Sequence, residues 1–149
     1  MKIAVMGAGP WARNYMESIG KIDNFQLTAI SPTHLGKSFM PPPVGVQVYL
    51  NWEELLDTEI FDGVVVATDP NIQNDIALVL AARNIPMILE KPVALDTASL
   101  MRLEDALVDR GPLALVNHFH FFHPAFRRFT KLFEKEDILK IEIVDGSLG

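Results

Sequence analysis

Short runs of β-branched and apolar residues alternate along the chain with segments whose apolar positions recur every three or four residues. Lys2–Met6 (KIAVM) reads as a first strand. From Pro10 to Ile19 the spacing turns helical, with Ala12, Tyr15, Met16 and Ile19 on one face and Arg13, Asn14, Glu17 and Ser18 on the other; Gly20 is the stop. Phe25–Ile30 is a second strand, and 33–40 is at most a short helix because the prolines of MPPPVG (40–45) break it. Val46–Leu50 is a short strand, and Asn51 heads a small helix through Leu56 with Glu54 in the reciprocal capping position. Gly63–Ala67 (GVVVA) is apolar throughout, as a parallel strand covered on both faces must be. Asp69 and Pro70 suit the N-cap and first position of a helix that runs to about Arg83, with Asn84 ending it. Met87–Leu89 is a strand, Asp96 caps a helix to about Asp109, Leu113–Val116 is a strand, and Pro124–Glu134 is a helix.

Strands alternating with helices at this pitch predict βαβ units and an α/β fold with a doubly wound parallel sheet. The last element differs. In Ile138–Val144, Ile141 and Ile143 alternate with Lys140 and Glu142, the pattern of a half-solvated strand in an open antiparallel sheet. Such a strand needs a partner, so self-association through Ile138–Val144 is expected, with a fold-back onto the chain's own surface as the alternative. The expected organisation is a nucleotide-binding domain over 1–120 and, over 121–149, a crossover helix and the first strand of an absent or truncated α+β domain.

Composition narrows the partners. The 149 residues are 49% apolar and 21% charged, the balance of a globular domain with a real core. Net charge is −6, and the densest basic cluster (Arg127, Arg128, Lys131) is followed at once by Glu134, Glu136 and Asp137, so nucleic acid is not an expected partner. The absence of cysteine excludes disulfides and thiolate metal sites and is compatible with a reducing cytoplasm. The first apolar segment is too short for a signal peptide, and the longest uncharged apolar run, Ile76–Ala82, is far below membrane-spanning length. A soluble, cytoplasmic protein without membrane contact is expected.

The chemistry begins at GAGPWA. Gly7, Gly9 and Ala12 follow a strand and open a helix, matching the G-x-G-x-x-G/A dinucleotide turn. Gly7 makes the tight turn, Gly9 lets the backbone approach a pyrophosphate, and Ala12 keeps helix and strand close. Pro10 has no N–H to offer, a small loss at the first helical position. The second strand ends without the carboxylate that would hold the ribose 2′-hydroxyl of NAD: Ser31 stands there, followed by Pro32, Thr33 and His34, with Lys37 nearby. Hydroxyls and a basic side chain suit a 2′-phosphate, so the cofactor is NAD(P), with NADP mildly favoured.

Four motifs in this order, GAGPWA (7–12), VQVYLNWEELL (46–56), DGVVVATDPNIQ (62–73) and ILEKPVAL (88–95), resemble the N-terminal Rossmann domain of the glucose–fructose oxidoreductase / inositol dehydrogenase / MocA family. The resemblance covers the chain to about Phe133, and Glu-Lys-Pro after the fifth strand is its most specific element. It implies hydride transfer between NAD(P) and the alcohol or carbonyl of a sugar or cyclitol. It implies that Trp11 lies within the phosphate turn, that Thr68, Asp69 and Pro70 pass beside the cofactor, and that Glu90 and Lys91 lie near the nicotinamide ribose. Lys91 would then be the catalytic residue, polarising the substrate oxygen.

Departures from the family pattern stand beside this. Gln73 occupies the place of a usual histidine, Phe121-Phe122 replaces a usual Arg-Phe pair, and the family's substrate-binding second domain is expected to be missing. A non-catalytic NAD(P)-binding module or an inactive remnant is therefore the alternative to an oxidoreductase. His118, His120 and His123 in NHFHFFHP (117–124) have zinc-binding chemistry, but no neighbouring acidic residue completes a set, and no metal is expected. If the strand continues through them, His118 and His120 share one side, and His120 could stand in for the missing histidine.

Overall fold

The computed structural model describes residues 1–32, 41–108 and 114–133. The anticipated helix over 33–40 and strand over 138–144 lie outside the described residues, as do Thr33 and His34. The chain divides into two compact units, Met1–Asn117 and His118–Gly149.

In the first unit, β1 (Lys2–Met6), α1 (Pro10–Ile19), β2 (Gln26–Ser31), β3 (Gln47–Val48), α2 (Trp52–Thr58), β4 (Gly63–Val66), α3 (Pro70–Ala82), β5 (Met87–Leu89), α4 (Thr97–Leu107) and β6 (Ala114–Val116) follow one another. The six strands form one sheet in the order β3-β2-β1-β4-β5-β6, and every neighbouring pair is parallel. This is the doubly wound arrangement that the strand–helix alternation predicts.

Period-two burial explains why β1 and β4 carry no polar face. Ala4, Met6, Val64 and Val66 join a core with residues of α2, α3 and α4, while Ile3, Val5 and Val65 join a second core with Ala12 and Ile19 of α1. Each strand is thus buried from both sides.

The helix starts follow their caps. Asp69 accepts from the Asn71 N–H at 2.9 Å ahead of Pro70, and Asp96 accepts from the Ser99 N–H at 2.8 Å. Asn51 caps α2 through the Glu53 N–H at 2.8 Å, one residue short of the capping-box position named from the pattern, and the helix runs two residues past Leu56. Asn84 ends the α3 region with φ +55, a conformation asparagine tolerates well. β2 sits one residue later than its apolar run suggests, and β3 is shorter: Gln47 and Val48 pair with Ala29 and Ile30, and the Tyr49 N–H adds one bond to the Ile30 carbonyl at 2.9 Å.

The second unit contains a short 3₁₀ turn at Phe119–Phe122 and α5 (Pro124–Phe133). No helix among the described residues is long and apolar enough to cross a membrane.

Candidate functional site

Parallel register brings the strand ends into line. Ser31 pairs with Met6, Met6 with Val66, Val66 with Leu89, and Leu89 with Val116. The residues that leave the sheet next, Gly7, Ala67, Glu90 and Asn117, therefore emerge side by side along its carboxyl edge. The strand order reverses around β1, and ligands of open α/β sheets bind in the crevice at such a switch point.

The two turn glycines are required for different reasons. Gly7 has φ +118, its N–H donates to the Ser31 carbonyl at 2.9 Å, and a Cβ on it would stand 2.1 Å from the Ala67 carbonyl oxygen. Only glycine fits where the β1 turn passes the end of β4. Gly9 is the N-cap of α1 with φ −74, and a Cβ there would meet no atom within 4 Å. Packing does not demand this glycine; open space over a helix N-terminus is what a pyrophosphate needs. Among the described residues no side chain caps α1, and no acidic residue stands in its first turn. Ala12 is fully buried against the sheet.

Thr68 and Asp69 follow β4. The Thr68 hydroxyl donates to the Asp69 carbonyl at 3.4 Å, and the Asp69 carboxylate is engaged as the cap of α3.

Glu90, Lys91 and Pro92 follow β5. Glu90 extends the ladder by one residue, its N–H donating to Val66 at 3.1 Å. Its side chain is 7% exposed, and one carboxylate oxygen, Oε1, accepts from Tyr15 Oη and from Asn117 Nδ2, both at 2.6 Å. The other oxygen accepts from the Lys91 N–H at 3.4 Å. The Lys91–Pro92 peptide is cis, and Gln73 of α3 grips both sides of it: Gln73 Nε2 donates to the Glu90 carbonyl at 2.6 Å and the Pro92 carbonyl at 2.9 Å. Lys91 itself is exposed, with Nζ 5.8 Å from the centroid of the Trp11 ring. Burial, then the hydrogen bond to and charge of Glu90, push the Tyr15 phenol well above its ordinary range, so at working pH it keeps the proton it donates to Glu90.

The glycine turn, Thr68–Asp69–Pro70, Gln73 and Glu90–Lys91 thus converge on one edge. Ser31 reaches the same edge but is 1% exposed, and its hydroxyl has no partner among the described residues. The histidine segment departs from the extended strand considered above. β6 stops at Val116, and the N–H groups of Phe121 and His123 bond to the carbonyls of His118 and His120, winding the segment into the 3₁₀ turn. The His118 ring lies 5.5 Å from Phe121 and the His120 ring 3.8 Å from Phe119. Tyr15 and Asn117 are members of the site that the sequence reading missed. The available signal was a tyrosine on an apolar helix face, whose buried hydroxyl needs a partner. A cavity of about 380 Å³ lies toward the amino-terminal side of the sheet; it shares Tyr15 with this site and is otherwise lined almost wholly by apolar groups such as Ile3, Ile19, Val65 and Leu115.

Residues 1–118 match the model of an oxidoreductase family with an NAD-binding Rossmann fold. The chain is 28% identical over 151 aligned positions to myo-inositol 2-dehydrogenase of Thermotoga maritima, covering 100% of this chain and 42% of that protein. It is 25% identical to inositol 2-dehydrogenase of Pseudarthrobacter chlorophenolicus over 74% of this chain and 34% of that one. The solved structure of myo-inositol 2-dehydrogenase from Lactobacillus plantarum superimposes with a TM-score of 0.79 at 16% identity, a likeness of fold covering 89% of this chain and 40% of that one. The chain thus spans about two fifths or less of the length of each of these relatives.

Proposed function

The chain belongs to the Gfo/Idh/MocA oxidoreductase family, with residues 1–118 as its NAD-binding Rossmann domain, and on that premise we propose that it is the nucleotide-binding part of an enzyme interconverting a secondary alcohol and a carbonyl on a sugar or cyclitol. One observation carries this reading: the glycine turn, Thr68–Asp69 and Glu90–Lys91 leave three adjacent parallel strands at one level. The α1 N-terminus and the space over Gly9 accept the pyrophosphate. Thr68, Asp69 and Pro70 line the approach, and Glu90 stands toward the nicotinamide ribose. A nicotinamide held there would supply the hydride chemistry. Lys91, exposed at the crevice, hydrogen-bonds the reacting oxygen of the substrate and handles its proton.

Within NAD(P), NADP is mildly favoured on electrostatic grounds. Ser31 in place of a carboxylate removes repulsion against a 2′-phosphate, and because it is buried, that absence of charge is its contribution. Thr33, His34 and Lys37, next in the sequence, carry hydroxyl and basic groups of the kind that suit a 2′-phosphate. Self-association through Ile138–Val144 is proposed from the alternating pattern alone, and light scattering that finds a monomer at high concentration would remove it.

A second reading is favoured by the coverage of the relatives, 42% and 34% of the two inositol dehydrogenases. In it the described residues bind NAD(P) without turnover of their own, since a nucleotide-binding domain alone neither orients a substrate nor shields it from water. Assaying the purified chain for oxidation of inositols and sugars with NAD(P) separates the two. Turnover at ordinary enzyme rates, lost in Lys91→Met, removes the module reading. Saturable nucleotide binding without turnover removes catalysis by this chain alone.

A further inference from the structure

Trp11 and Tyr15 stand four residues apart on α1, one helical turn, and reach two consecutive residues of the turn after β5. Trp11 meets Lys91 at 5.8 Å, ring centroid to Nζ, and Tyr15 Oη donates to Glu90 Oε1 at 2.6 Å. Asn117, whose own N–H is tied to the Leu89 carbonyl at 2.8 Å, gives a second 2.6 Å bond to that same oxygen. We propose that Trp11, Tyr15 and Asn117 are positioning residues that hold the Glu90–Lys91 turn in register with the glycine turn, setting the spacing between the grip on a pyrophosphate and the lysine at the nicotinamide end.

The physical case rests on what a buried carboxylate costs. Glu90 is 93% shielded from water, and for stability alone a packed apolar residue would serve as well or better. A carboxylate that takes two short, charge-assisted bonds from different elements gains directional constraint instead. Those elements are the helix whose N-terminus faces the anion and the last strand of the sheet. The bonds meet at the residue beside the lysine. The inference deepens the dinucleotide reading above and rests on it.

Two ligands separate positioning from simple stability. ADP carries the pyrophosphate and adenosine but no nicotinamide, whereas NADH carries both ends. The 149-residue chain, Tyr15→Phe and Asn117→Ala are titrated with each by calorimetry, after circular dichroism confirms folding; the two substitutions act from different elements, so either one decides the matter. Loss of one bond to a charged group corresponds to roughly a fivefold or greater weakening of NADH, with ADP affinity held within about twofold. Unchanged NADH affinity, or NADH and ADP weakening together, overturns the positioning role while leaving nucleotide binding intact. A wild-type chain that binds neither ligand brings down the dinucleotide reading and this inference with it.

Discussion

Alanine at Gly7 and alanine at Gly9 are expected to fail in opposite ways. At Gly7 the new Cβ would stand 2.1 Å from the Ala67 carbonyl oxygen and 2.7 Å from its carbon, at φ +118. The disfavoured dihedral costs on the order of 1–3 kcal/mol. Relief of the clash must push the β1 turn away from the end of β4, adding about 1–3 kcal/mol by analogy with overpacked cores. The sum, roughly 2–6 kcal/mol, is a large part of the 5–15 kcal/mol that holds a typical domain together. At Gly9 the backbone is extended (φ −74, ψ 179), a conformation any residue adopts, and a Cβ meets nothing within 4 Å. Alanine there loses only a modest N-cap preference, on the order of 0.5–1 kcal/mol. Its methyl group nevertheless enters the space a pyrophosphate requires. Urea denaturation followed by circular dichroism, with ADP titration in parallel, should show Gly7→Ala strongly destabilised. Gly9→Ala should stay folded with ADP affinity down about tenfold or more, the loss of close backbone approach to the phosphates. A Gly7→Ala chain as stable as wild type, or a Gly9→Ala chain that binds ADP normally, would refute this division of labour.

Three further outcomes are expected. Gln73→Leu removes both bonds across the Lys91–Pro92 peptide and leaves two carbonyls without their donor, a cost of about 2–4 kcal/mol; hydrogen exchange at Lys91 should accelerate with it, and an unchanged denaturation midpoint would count against the clamp. The raised pKa of Tyr15 means the folded chain holds the phenolic proton more tightly than the unfolded one. That stabilisation is whole below the ordinary tyrosine pKa of about 10 and is lost as pH rises beyond it; Tyr15→Phe should flatten the decline, and an unaltered alkaline profile would contradict it. The Asp96 carboxyl is held below its ordinary range by hydrogen bonds from Ser99, so its support for α4 is present above the unfolded value and fades as pH falls through the folded one. Asp96→Ala should lower the thermal midpoint at neutral pH and lose that effect in strong acid.

What was legible in the sequence depended on range. The β1–turn–α1 unit could be read because all its constraints lie within a few residues: apolar strand, glycine spacing, a proline at the first helical position, a small buried Ala12. The caps at Asp69 and Asp96 are equally local, and the order of motifs carried the family. Tyr15 read only as part of a packing face, since the carboxylate that claims its hydroxyl lies 75 residues away. Asn117 read as a flank of the histidine cluster for the same reason, its partner being 27 residues back. The end of β6 at Val116 was legible, but period-two reasoning does not show that the histidine segment beyond it winds into a 3₁₀ turn, with the Phe121 and His123 N–H groups bonded to the His118 and His120 carbonyls. Nor does strand patterning tell that Ser31, at the end of β2, is buried rather than open to a ligand.

The most direct test of the dinucleotide crevice is a calorimetric titration of the 149-residue chain with NADPH and NADH, with Gly9→Ala as the folded control. Saturable one-site binding, tighter for NADPH and lost in Gly9→Ala, is the predicted result. The absence of binding by either nucleotide at millimolar concentration would contradict it.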